Sequence, residues 1–128
     1  MPIRFSDRQI QIAQHLCILA GYVGTVIIVV LSLVPLSLRP HTGVGGKIEH
    51  WIAYALVGLA FGLGQQTARL RLRTGIALSA AAALLELLQN FIPGRNPEVV
   101  GFLSSSMGTW MGLGLASIAL VSLRAITK

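Results

Sequence analysis

The chain has 128 residues, enough for one domain, and its composition excludes an ordinary soluble one. Hydrophobic residues make up 54% and charged residues 11%, against about 25% charged in soluble domains, and the mean hydropathy is +0.75. Too few polar side chains are present to cover a soluble surface, and disorder is excluded because disordered chains are polar and charged. The net charge of +6 comes from 10 Lys and Arg against 4 Asp and Glu. These cations sit between apolar stretches, so they report membrane orientation rather than a nucleic-acid partner.

Arg4 and Arg8 precede the first apolar stretch, as in a signal peptide. That stretch is too long for a signal core and leads to no clean small-x-small cleavage site, so it reads as a retained span. The lone Cys17 lies within it and reads as a small buried thiol. No charge occurs from Gln9 to Leu38, from His50 to Ala68, or from Val99 to Leu123; a further run, 74–94, is interrupted only by Glu86. About 20 mostly apolar residues cross the hydrocarbon as a helix. The chain therefore predicts an all-α, polytopic, four-transmembrane-helix bundle in one domain, 1–128, with helices at about 15–36, 49–66, 75–92 and 99–121. Short loops make neighbouring helices antiparallel.

Arg4, Arg8, Arg69, Arg71, Arg73, Arg124 and Lys128 fall on one side, and Arg39, Lys47 and Arg95 on the other. The positive-inside rule puts both termini in the cytoplasm and the loops 37–48 and 93–98 outside. Arg69-Leu-Arg-Leu-Arg73 reads as a topology anchor beside anionic lipid. Gly58 and Gly62 in the second helix, and Ser104, Gly108, Gly112 and Ala116 in the fourth, recur at small-xxx-small spacing. Such rows let backbones approach closely, inside this bundle or against another chain. Pro35-Leu-Ser-Leu-Arg39-Pro40 and Pro93-Gly-Arg95-Asn-Pro97 form a weak internal echo at two helix ends, which chance explains as well as two similar hairpins do.

Ionisable residues inside a membrane need a reason. Glu86 lies about 9 Å down from the outer end of the third helix, where an unpaired carboxylate costs on the order of 2–3 kcal/mol. Gln89 and Asn90 follow at i+3 and i+4, so the three share a face that should point inward toward a cation. Lys47, His50 and Tyr54 form a stripe at the outer end of the second helix, with Trp51 beside them at interfacial depth. Arg95 reaches the same level. A polar pocket near the outer surface is expected from Lys47, His50, Tyr54, Glu86, Gln89 and Arg95, serving either a ligand or the register of the helices. His41, Glu49 and His50 match no standard metal spacing, so neither a metal nor another cofactor is expected. His15 reads as an interfacial side chain rather than a pigment or haem ligand. No serine nucleophile or phosphate loop is visible, which favours a non-catalytic role.

Leu33-Val-Pro35, Lys47-Ile-Glu-His50-Trp-Ile-Ala-Tyr54 and Glu86-Leu-Leu-Gln89-Asn-Phe-Ile-Pro93-Gly-Arg95, with Gly108 and Gly112, together resemble the VanZ-like family of small bacterial membrane proteins. The matching segments span roughly residues 31–115. The resemblance implies a helical inner-membrane bundle, and the family's founding member is linked to resistance to the glycopeptide teicoplanin. Where the family carries an Asp and an Asn beside this cluster, this chain has Gly101 and Ser105; Glu98 is a nearby acid three positions earlier. Two functions are therefore expected as alternatives. One is a VanZ-like protein whose outer pocket binds an envelope ligand or glycopeptide. The other is a small accessory subunit of a larger inner-membrane complex, respiratory or photosynthetic, packed through the glycine-rich fourth helix. Besides the bilayer, the partner is thus such a complex or a second copy; four short helices leave little room for an alternating-access transporter.

Overall fold

The computed structural model describes residues 4–40 and 43–127. Four helices account for most of them: α1 (Asp7–Leu33), α2 (Gly46–Gly64), α3 (Ala68–Leu88) and α4 (Val99–Ile126). Short 3₁₀ turns at Leu36–Leu38 and Gln89–Phe91 follow α1 and α3. Among the described residues α1, α4 and the segment Ala68–Phe91 are long and apolar enough to cross a membrane. At 19 residues, with Lys47, Glu49 and His50 in its first turns, α2 falls short of that composition. His41 and Lys128, which entered the metal and charge arguments, lie outside the described residues.

Helix ends differ from expectation where local capping chemistry decides them. The first helix starts at Asp7 instead of about 15, because Ser6 and Gln9 form a reciprocal capping box. It stops at Leu33 instead of 36, because Pro35 holds Val34 extended at ψ 138°. Thr67 accepts from the Leu70 N–H and starts α3 seven residues earlier than expected. The arginines 69, 71 and 73 therefore lie in the first turns of a helix, not in a loop. At the other end α3 tightens into a 3₁₀ turn after Leu88, so Asn90 leaves the Glu86–Gln89 face, stays exposed and donates to the Leu87 carbonyl. The fourth helix runs five residues beyond the expected 121, to Ile126.

α2 and α4 form the central contact, and small residues create it. A methyl group on Gly58 would sit 2.5 Å from the Thr109 carbonyl oxygen, and one on Gly62 2.5 Å from the Ala116 Cβ. Gly108 and Gly112 lie as tightly against the Trp51 and Ala55 carbonyls. All four glycines singled out in the sequence are buried in this one interface. In lipid no hydrophobic force draws helices together, so such close van der Waals approach is what joins them. α1 packs on the other side of α2, where Gly21 receives the Phe61 ring, which also stacks edge-on to Tyr22 at 5.1 Å. α3 packs on α4, with the Trp110 indole over Gly75. Ile28, Tyr54, Val57, Phe61, Leu78, Ala82 and Leu85 join α1, α2 and α3 in one core, with Phe102 of α4 packed against it. Outside it the surface is apolar around most of the bundle, Leu19, Val26, Leu84 and Ile118 all being more than half exposed.

Two sets of hydrogen bonds define the two ends. Gln66 donates to Gln14 at 3.1 Å, joining the α2–α3 loop to the first half of α1. Arg71 donates to the Gln65 carbonyl at 2.8 Å, covering the C-terminus of α2; at least this member of the arginine triplet is a cap as well as a candidate lipid anchor. The opposite end gathers the C-termini of α1 and α3 and the N-termini of α2 and α4.

Candidate functional site: a polar cavity at one end of the bundle

At that second end a cavity of about 290 Å³ is lined by Lys47, His50, Glu86, Gln89 and Arg95, together with Arg39 and Glu98. Five of the six residues expected in a pocket thus share a cavity. The sixth, Tyr54, lies one turn deeper, is 3% exposed, and lines a neighbouring apolar cavity of about 410 Å³ between α1 and α2.

Much of the polar lining satisfies helix ends. A helix leaves its last carbonyls without intrahelical donors, and α1 has no basic residue in its last turn. Arg95 supplies the missing cation from the α3–α4 loop: Nη2 donates to Leu31 at 2.6 Å and to Val34 at 3.0 Å, and Nε to Val34 at 3.2 Å. The buried Gln89 amide donates to the Ser32 carbonyl at 3.2 Å. Burial and the nearby Arg39 charge hold the Arg95 guanidinium below its ordinary value, with Glu86 acting in the opposite sense; an arginine remains protonated there.

Glu86 meets a different partner from the one expected. Its carboxylate accepts the Glu98 backbone N–H at 3.2 Å, at the N-cap of α4, which has no side-chain cap of its own. The positive end of the helix dipole thereby takes the place of a contacting side-chain cation. Gly101 makes room for this, since any Cβ there would overlap the Glu86 carboxylate. Ser105 donates to the Gly101 carbonyl at 2.9 Å. Gly101 thus lies directly against this cluster, and Ser105 is joined to it through the Gly101 carbonyl.

The remaining charges are paired across the rim. Arg39 bonds Glu49, with both side chains largely covered, and Lys47 lies 3.2 Å from Glu98 in an exposed pair. Sequence reasoning missed the Arg39–Glu49 pair because ten residues of non-helical spacing separate the partners. The one signal was an acid in the first turn of α2 beyond a lone loop arginine. Among the described residues no group of three His, Cys, Asp or Glu side chains is placed to hold a metal. His15 is exposed, with Nδ1 2.7 Å from the Gln11 carbonyl.

Fold and surface together define an all-helical membrane protein with a polar cavity at one end. No family model matches the chain, and neither a curated protein nor a solved structure matches it.

Proposed function

We propose that the chain is a VanZ-like, non-catalytic protein of the bacterial inner membrane, whose outer polar cavity binds an envelope ligand or glycopeptide. All four helices cross the bilayer in this reading, α2 being shielded between α1 and α4. Both termini and the arginine-rich start of α3 face the cytoplasm, and the polar cavity faces outward. The carrying observation is the convergence of Lys47, His50, Glu86, Gln89 and Arg95 on one cavity from α2, α3 and the loop before α4. A non-catalytic role agrees with the hydrogen bonds of Glu86, Gln89 and Arg95, which engage helix ends rather than a nucleophile. The alternative of an accessory subunit docked through Gly108 and Gly112 has less support, because α2 already occupies that face.

The test is tolerance of a glycopeptide in cells carrying Lys47→Ala or Glu86→Gln. Lost tolerance at an unchanged protein level supports the reading, and wild-type tolerance in both variants rejects it. A pull-down of the tagged chain in mild detergent separates the alternative: a stoichiometric large complex favours the subunit, recovery alone favours the autonomous protein.

A further inference from the structure

The polar cavity does not end at its own wall. Arg39 and His50 line both it and the apolar cavity between α1 and α2. Leu31, Ile52 and Leu56 border the apolar cavity and are also exposed on the bundle surface, so it opens sideways between the helices. In a bilayer that opening faces acyl chains, while the adjoining polar cavity lies at headgroup depth. An apolar slot leading into a polar chamber matches the shape of an amphiphile.

Donor chemistry selects the head. The carboxylates of the two cavities are engaged: Glu49, which lines the apolar one, by Arg39, and Glu98 and Glu86, which line the polar one, by Lys47 and the α4 N-cap. Their cationic partners are not saturated by one contact each, since a guanidinium carries five N–H donors and an ammonium three. Lys47 has a side chain 60% exposed. Three cations, Arg39, Lys47 and Arg95, line the polar cavity against two carboxylates, Glu86 and Glu98, a surplus of positive charge. A phosphate, with several strong acceptor oxygens, complements that surplus without breaking the existing pairs.

From this geometry we infer that the two joined cavities form one site for a membrane phospholipid, with an acyl chain in the slot beside Ile52 and the phosphate against Arg39 and Lys47. The inference rests on the outward-facing orientation proposed above and assigns a ligand class to the same site.

The experiment is native mass spectrometry of the full chain, delipidated in mild detergent and offered phosphatidic acid or the diacylglycerol with the same chains. The expected result is one phosphatidic acid retained per chain, with diacylglycerol retained at least about tenfold less. Ile52→Trp, which places bulk at the exposed mouth, should lower phosphatidic acid retention about tenfold, and Lys47→Ala several-fold. Equal retention of the two lipids overturns the phosphate assignment, and unchanged retention in Ile52→Trp overturns the slot. Displacement of the lipid by millimolar inorganic phosphate overturns the lipid as occupant in favour of the free ion. If Ile52→Trp does not fold, the two-lipid comparison on the wild-type chain decides alone. Lipid retention without any change in glycopeptide tolerance removes the proposed function and leaves this inference standing; the reverse result removes only the inference.

Discussion

Arg95 holds the end of a helix that finished 62 residues earlier: its guanidinium donates to the carbonyls of both Leu31 and Val34, the latter being the C-cap of α1. A loop residue that reads in sequence as a pocket cation is therefore also the clamp that fixes α1 to the α3–α4 corner. Replacing it by Ala removes these bonds from exposed and part-buried carbonyls, at up to about 1.5–3 kcal/mol for hydrogen bonds to a charged group. Arg95→Lys keeps the charge but loses the two-carbonyl fork, so its loss should be intermediate. Thermal unfolding in detergent should rank wild type above Arg95→Lys above Arg95→Ala. Hydrogen exchange should speed up first in the last turn of α1.

The tight glycines do not all respond alike to an added methyl. At Gly112 the methyl meets the Ala55 carbonyl and, at 2.6 Å, the Leu59 nitrogen, and backbone cannot yield without parting α2 from α4. Gly112→Ala should therefore destabilise the chain by about 1–3 kcal/mol, as overpacking of a rigid site does. At Gly101 the methyl meets only the end of the Glu86 side chain, which can swing aside. Gly101→Ala should retain most of the stability while releasing Glu86 from the Glu98 N–H. Comparing the two unfolding midpoints checks the ranking; a Gly101→Ala loss as large as that of Gly112→Ala would show that Glu86 is not free to move.

The two ion pairs at the cavity rim should separate by burial. Arg39 and Glu49 are largely covered, so water and salt screen their attraction only weakly. A double-mutant cycle with Arg39→Ala and Glu49→Ala should show coupling above about 1 kcal/mol. The Lys47–Glu98 pair is exposed, and its coupling should stay within about 0–1 kcal/mol and fall with added salt.

Orientation is testable because the chain has one cysteine. With Cys17 replaced by Ser, a cysteine at Arg73 should resist a membrane-impermeant maleimide in intact cells. One at Asn96 should react. The reverse labelling pattern would turn the proposed outer cavity to the cytoplasm.

Much of this molecule was legible from charge spacing alone. The interrupted charge-free runs mark the four helices to within a few residues at most ends, since a buried charge is costly enough in lipid to punctuate the chain. Capping chemistry moved the remaining ends: the Ser6–Gln9 box and Thr67 extend helices through polar residues that hydropathy assigns to loops. The grouping of Lys47, His50, Glu86, Gln89 and Arg95 followed from depth along antiparallel helices, a quantity that rise per residue supplies.

Sequence by itself determined the medium, the helices and the end at which the polar side chains collect, because those depend on local composition and on 3.6-residue periodicity. Tertiary structure decided what each polar group touches. The facing surface of α4 put the glycine row inside the α2–α4 contact, and the bend after Leu88 turned Asn90 away from the cavity. The end of α1, 62 residues before Arg95, drew that guanidinium onto its carbonyls. Partners this distant are selected by the relative placement of helices, which no spacing within one helix encodes.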